Sequence, residues 1–341
     1  MSIFYNVLRP VLVSMLITNM ALCQTLKEVS SGTTAHIRGM SAVSERLVWA
    51  SGTEGRVGKS TDGGETWTWK QIPGFEKIDF RDIEAFDDQT ALVMGVASPG
   101  YILRTADGGK NWTIVYKNED PRLFMDAMHF WNDRSGMIIG DPIDGRFFIL
   151  RSFDGGKKWQ EIPVKYRPVA DIGEACFAAS GSNITSISRK EAVFVSGGMH
   201  SRFFKRNTSP TLPLQQGSES TGANGIGTGW NKNGKKANRL IAVGGDFSND
   251  KNDSAVCAIS NDLGKTWQLP KEGPRGYRSG IAWIEEGRWI TCGSSGVDTS
   301  EDDGMSWQSI SSKGYHVCVR SKKGKTVFLA GPGGRIARLI W

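Results

Sequence analysis

Three arginines in this chain stand at nearly the same distance ahead of three tryptophans. Arg38 precedes Trp67 by 29 residues, Arg81 precedes Trp112 by 31, and Arg278 precedes Trp307 by 29. Planar guanidinium groups gathered in one place would grip a carboxylate bidentately, which an ammonium cannot do. The segments they open align as Arg38-Gly-Met-Ser-Ala-Val, Arg81-Asp-Ile-Glu-Ala-Phe and Arg278-Ser-Gly-Ile-Ala-Trp. Met125-Asp-Ala-Met-His-Phe and His316-Val-Cys-Val fall in matching places. The alignment predicts a partial basic ring of Arg38, Arg81, Arg278 and His316, with Asp82, Asp126 and Glu174 beside it as counter-charges. Two uses fit: a cup for a carboxylate, an acidic loop or a chain terminus, or ion pairs tying adjacent units together. Asp141, Asp144 and Arg146 form a second charged group in a Pro/Gly turn. Two carboxylates supply too few oxygens for a Ca²⁺ shell, so the expected role is turn-making with an Asp144–Arg146 contact; Asp246 reads the same way.

The elements that must hold these residues are announced by five octapeptides: Ser60–Trp67, Thr105–Trp112, Ser152–Trp159, Ser260–Trp267 and Ser300–Trp307. Each fits Ser/Thr-x-Asp-x-Gly-x-x-Trp. The aspartates Asp62, Asp107, Asp154, Asp262 and Asp302 are suited to accept backbone N–H groups in a tight turn. The glycine two residues later allows φ > 0, and Trp67, Trp112, Trp159, Trp267 and Trp307 plug a neighbouring sheet. Every part serves a β-hairpin, so the five carboxylates read as structural rather than acidic catalysts or metal ligands. The octapeptide resembles the Asp-box, or BNR repeat, of sialidase-like and related β-propellers.

Intervals between the box tryptophans are 45, 47, 108 and 40 residues. The long one holds about two periods, so one unit has lost its box; it is read as Glu174–Ser180, Ala192–Gly198 and Arg202–Arg206. A polar stretch over 207–238 follows and reads as a long exposed excursion. After Trp307 comes a last three-stranded unit ending at Trp341. Thr25–Val29 is the natural donor of its fourth strand, leaving no free edge. The expected fold is all-β, a seven-bladed β-propeller (six if two units merge), in a single domain over 24–341.

Between the boxes, Ile37-Arg38-Gly39, Asp79–Phe86, Gly140–Arg146 and Gly331–Arg338 resemble the photosystem II assembly/stability factor family, and more closely its exported bacterial relatives found outside photosynthesis. The resemblance covers about Lys27 to Trp341. It implies a seven-bladed propeller that binds other proteins, acting in photosynthetic members as an assembly chaperone. The lost box and the polar insertion depart from that family, and no residue points to a particular client.

Composition narrows the classes further. Lys+Arg of 42 against Asp+Glu of 35 gives +7, a bias toward acidic partners. The basic residues form no tail or helix, which argues against nucleic acid. Arg9 followed by a mostly apolar run from Val11 to Leu22 reads as a signal peptide over 1–23, cleaved before Gln24. Lipidation of Cys23 or an uncleaved anchor are the other options. The mature protein is expected to be periplasmic or extracellular, monomeric, without a transmembrane span, and without metal or cofactor. Cys176, Cys257, Cys292 and Cys318 lie in apolar runs, favouring buried thiols over disulfides. Function is read as a non-catalytic, exported protein-binding scaffold or assembly factor for an envelope or membrane complex. The alternative is a sialidase-like glycoside hydrolase with Tyr277 or Tyr315 beside Glu174 or Asp82. Its Arg-Ile-Pro motif is missing, since the chain has Ile37-Arg38-Gly39.

Overall fold

A computed structural model describes residues 24–29, 31–230 and 236–340. The signal peptide with Cys23, and Trp341, lie outside those residues. Seven sheets make up the ring, and the blade 5 sheet is extended past Gly222 by the two-residue strands Gly197–Gly198 and Glu174–Ala175 from earlier in the chain. Blade 1 is Ile37–Ala42, Val48–Gly52, Arg56–Ser60 and Thr68–Gln71; blade 2 is Phe80–Ala85, Ala91–Gly95, Gly100–Thr105 and Thr113–Asn118. Blade 3 is Met125–Phe130, Gly136–Ile143, Arg146–Ser152 and Gln160–Glu161; blade 4 is Ile184–Ser188, Glu191–Val195 and Phe203–Phe204. Blade 5 is Thr221–Trp230, Lys236–Asp246 and Cys257–Ser260; blade 6 is Gly280–Glu285, Arg288–Gly293, Gly296–Ser300 and Gln308–Ser311. Blade 7 takes Val317–Arg320, Val327–Ala330 and Ile336–Ile340, and is completed by Thr25–Val29 in antiparallel register from Thr25↔Ile340 to Val29↔Ile336. The ring therefore closes through the N-terminal strand, and the blade count is seven. The helical content among the described residues is two 3₁₀ turns, Val164–Tyr166 and Pro332–Gly334.

The boxes occupy the turns between third and fourth strands, at the outside of the ring. In blade 1 the Ser60 hydroxyl donates to Asp62 Oδ1 (2.8 Å) and accepts the Gly64 N–H (2.8 Å). The Thr66 hydroxyl and N–H and the Ser60 hydroxyl together hold Asp62 down at about 2. The Trp67 indole N–H donates to Gly64 O (3.1 Å). Blades 2, 3, 5 and 6 repeat the Ser/Thr–Asp contact at 2.8, 3.0, 2.8 and 2.9 Å. Each box glycine has φ between +74° and +87° and is pressed against the preceding blade. Gly64 meets Phe328, Gly109 meets Trp49, Gly156 meets Leu92, Gly264 meets Phe203 and Gly304 meets Ile241. One octapeptide thus turns its own hairpin and docks it on its neighbour.

Two readings of the boxless region need correction. Thr221–Trp230, expected within an exposed excursion, is the innermost strand of blade 5 and is buried up to Thr228 and Gly229. Its glycines suit close packing: a Cβ on Gly227 would lie 2.7 Å from the Trp289 ring of blade 6. Nor is Glu174–Ser180 an inner strand. That place belongs to Ile184–Ser188, while the chain ahead of it crosses the central channel. A turn bridging Lys205 and Thr208 stands where blade 4 lacks its box.

Candidate functional site

The first residues of the inner strands surround one mouth of the channel. In blade 1, Ile37 pairs with Gly52 and Gly39 with Ser51, so Arg38 is bulged out of the ladder. Arg81 is bulged identically between Phe80 and Asp82, Asp126 between Met125 and Ala127, and Asn224 between Ala223 and Gly225. A bulge re-aims the extra side chain; here Arg38, Arg81 and Asn224 are turned toward the mouth. Ser279 and His316 hold the corresponding places in blades 6 and 7.

Residues 176–183 cross the channel just below this level. The Ala179 carbonyl accepts from Arg38 Nη1 (3.5 Å), and the Ser180 and Ser182 hydroxyls donate to Ser279 O (2.6 and 3.1 Å). A Cβ on Gly181 would lie 2.5 Å from Asp82 Oδ2. The crossing segment divides the channel into two chambers. The one at the mouth encloses about 430 Å³ and is lined by Arg38, Arg81 and His316 together with Phe124, Phe177, Phe247 and Tyr277, the Arg81 guanidinium carbon lying 5.9 Å from the Phe124 ring centroid. Phe247 is 47% exposed and meets Phe177 edge-on at 5.7 Å between ring centroids.

Positive charge in the mouth comes from the two arginines. Arg81 pairs with Asp79 at 2.7 Å, and among the described residues Arg38 has no carboxylate partner. Burial, and then repulsion from Arg81, lower the Arg38 pKa from its ordinary value. His316 carries no charge: burial pulls it down to about 3, helped by Arg38, His36, Arg81 and Arg335. Asp141 lines the same chamber, accepts the Cys176 N–H at 2.9 Å, and is raised to about 6 by burial.

The other ring residues go elsewhere. Arg278 is fully buried and points into blade 6. Its Nε donates to Asp298 Oδ2 (2.6 Å), and its remaining N–H groups reach Tyr277 O, Ser295 Oγ and Arg275 O. The reason is a one-residue slip, which in a strand exchanges the two faces. Gly293 faces Tyr277 and Arg278 as Gly52 faces His36 and Ile37, so Arg278 takes the core place of Ile37 and Ser279 that of Arg38. Glu174 is buried and ion-pairs with Arg202, whose Nε donates to its Oε1 at 2.9 Å. Asp82 lies beyond the crossing segment, accepting Ile83 N–H (2.8 Å) and Met128 N–H (2.7 Å), and burial raises it to about 8. Asp126 is fully buried and raised well above its ordinary value, by burial and then by Asp141. Asp144 pairs with Arg122 at 2.9 Å rather than with Arg146, which donates to Arg167 O.

Sequence reasoning missed Phe124, Phe177, Asn224, Phe247 and Ser279 as mouth residues. The three-arginine clamp of the hydrolase alternative is not assembled, because Arg278 is spent on Asp298. Tyr277 Oη donates to Asn224 Oδ1 at 2.8 Å rather than to a carboxylate, and Tyr315 is buried against Arg335. The four thiols are free and buried.

Comparison with known proteins agrees with this architecture. The family profile described as "Photosynthesis system II assembly factor YCF48" matches residues 18–123. Among solved structures, "YCF48 bound to D1 peptide" is similar at TM-score 0.63 and 18% identity, over 93% of this chain and 97% of that one. YCF48 from Cyanidioschyzon merolae gives 0.60 and 18%, over 92% and 98%. The WD40 β-propeller domain of Doa1 gives 0.58 and 11%, over 93% and 96%. At such identities these likenesses speak to the fold. No curated protein sequence matches the chain. The chain is a seven-bladed Asp-box propeller, and over residues 18–123 it is similar to the photosystem II assembly factor family.

Proposed function

We propose that this protein is an exported, non-catalytic binding propeller, a scaffold or assembly factor for an envelope or membrane protein complex, and that it holds an acidic segment or chain terminus of its partner in the Arg38/Arg81 mouth. The observation that carries the reading is the mixed lining of the chamber. Among the described residues Arg38 has no carboxylate of its own, and the two guanidiniums share with Phe124, Phe177, Phe247 and Tyr277 a volume suited to a few side chains. A carboxylate would find charge-assisted donors there while apolar atoms beside it cover Phe177 and Phe247. The similar structure described as YCF48 bound to D1 peptide supports a peptide as the class of ligand; that particular client is not carried over. No helix among the described residues is long and apolar enough to cross a membrane, and the N-terminal apolar run supports export.

Affinity capture tests the proposal. The mature chain and an Arg38→Ala/Arg81→Ala variant are immobilised and exposed to native cell envelope. A protein retained by the first and lost by the second supports the reading. Equal retention moves the binding surface away from this mouth, and retention of glycan without protein revives the hydrolase.

A further inference from the structure

The second chamber, on the far side of the crossing segment, has its own chemistry. It also encloses about 430 Å³, within the range of small-molecule sites. Met40, Met128, Ile281 and Val319 give it an apolar wall, and Asp82 lies at its inner end. At the outer end Arg320 lies on the Trp283 ring, its guanidinium carbon 5.0 Å from the centroid. Arg320 makes no ion pair or hydrogen bond among the described residues, and its Nε is buried without a partner.

The neighbouring charges are already committed. Glu285 pairs with Lys325 and Arg288 at 2.7 and 2.8 Å. Glu45 accepts the Lys325 N–H at 2.9 Å and the Thr326 hydroxyl at 3.1 Å. Lys322 pairs with Glu84 and donates to Ala85 O, and His129 contacts Ser186 Oγ at 3.1 Å. Arg320 feels Glu285 and Glu45 through space, but both carboxylates spend their hydrogen bonds on other groups, so its donors are left free. A half-buried guanidinium held flat on an indole, with its fork unused, is a preformed anion donor.

We propose that this chamber is a binding site for a small amphipathic carboxylate, its apolar body between Met40, Met128, Ile281 and Val319 and its carboxylate on Arg320. Asp82 is compatible with such a ligand, because burial keeps it protonated to about pH 8 and it adds no repelling charge at neutral pH. The site is separate from the Arg38/Arg81 mouth, and its fate does not depend on the partner bound there.

The probe is 1-naphthoate, with 1-naphthamide as its neutral isostere, titrated calorimetrically into the mature protein at pH 7. The expected result is sub-millimolar binding of the naphthoate and at least tenfold weaker binding of the amide. Arg320→Met should weaken naphthoate about tenfold and leave the amide unchanged, both alone and in an Arg38→Ala/Arg81→Ala background that removes the carboxylate donors of the mouth. Val319→Trp, which intrudes on the chamber, should weaken both and serves as the second variant if Arg320→Met fails to fold. In the Arg38→Ala/Arg81→Ala background, no heat with either probe, equal affinity for acid and amide, or unchanged naphthoate binding when folded Arg320→Met or folded Val319→Trp is added would each overturn the proposal.

Discussion

Replacing Arg278 by alanine separates blade cement from binding mouth. In the folded protein its guanidinium is fully buried and satisfied by Asp298, Tyr277 O, Ser295 and Arg275 O. Removing it leaves Asp298, itself fully buried, with no partner on Oδ2; Oδ1 already has none. Stranding one member of a buried ion pair costs about 3–5 kcal/mol. A domain of roughly 300 residues unfolds with an entropy of about 0.6 kcal/mol/K, so the melting temperature should fall by about 5–8 °C. The assay is thermal unfolding followed by tryptophan fluorescence, with capture of the envelope partner measured well below the transition. An Arg278→Met/Asp298→Leu double variant should recover most of the loss, because an apolar pair of similar volume has no charge to strand. Arg38→Ala/Arg81→Ala should behave oppositely, losing the partner with a melting shift of about 2 °C or less, since neither side chain is fully buried. A shift under 1 °C for Arg278→Ala, together with lost capture, would refute the assignment of Arg278 to the blade.

Four other outcomes follow from the geometry. Gly264→Ala places a Cβ 2.1 Å from Phe203 at φ +84° and should cost about 2–4 kcal/mol in urea unfolding, against about 1 kcal/mol for Gly74→Ala, which has φ +83° and open space. Asp82, raised to about 8, keeps a proton that the unfolded chain releases near pH 4. Stability should therefore fall as pH rises from about 4 to 8, with a slope approaching about 1.4 kcal/mol per pH unit; Asp82→Asn should flatten the slope, leaving the part due to Asp126. Asp141, raised to about 6, gains a negative charge beside Arg38 and Arg81 above that pH, so a carboxylate ligand should bind more weakly at pH 7.5 than at pH 5, and Asp141→Asn should level the two. Cys176, Cys257, Cys292 and Cys318 are buried, with burial raising Cys176, Cys257 and Cys318 above the ordinary thiol range, so a thiol reagent added to the chain from Gln24 onward should report no reactive group until the protein unfolds.

Much of the ring was legible because its signals are local. Each box is a self-contained turn, and its aspartate, glycine and tryptophan act within eight residues, so blade number and closure by Thr25–Val29 could be read directly. The mouth depends on register, which the box spacing does not fix. Arg38 and Arg278 are equally far from their tryptophans, yet Gly52 to Trp67 is 15 residues and Gly293 to Trp307 is 14. Aligning the hairpins on those glycines instead would have placed Ser279, and not Arg278, opposite Arg38. Blade 5 was obscured by its glycines, which resemble a linker but leave room for Trp289. The crossing segment had no sequence signature, since Glu174-Ala-Cys-Phe-Ala-Ala-Ser looks like any buried strand and its course is set by contacts with Arg38, Asp82 and Ser279.

Site-specific photocrosslinking in living cells would show whether a partner protein sits in the Arg38/Arg81 mouth. A photoreactive phenylalanine analogue is placed at Phe247, among the aromatic residues of the mouth, and at Phe153, exposed on the outer turn of blade 3. A partner held in the mouth gives one discrete protein adduct from position 247, lost when Arg38→Ala/Arg81→Ala is added, and none of that mass from position 153. An adduct from 153 alone, or one from 247 that survives removal of both arginines, would contradict that placement.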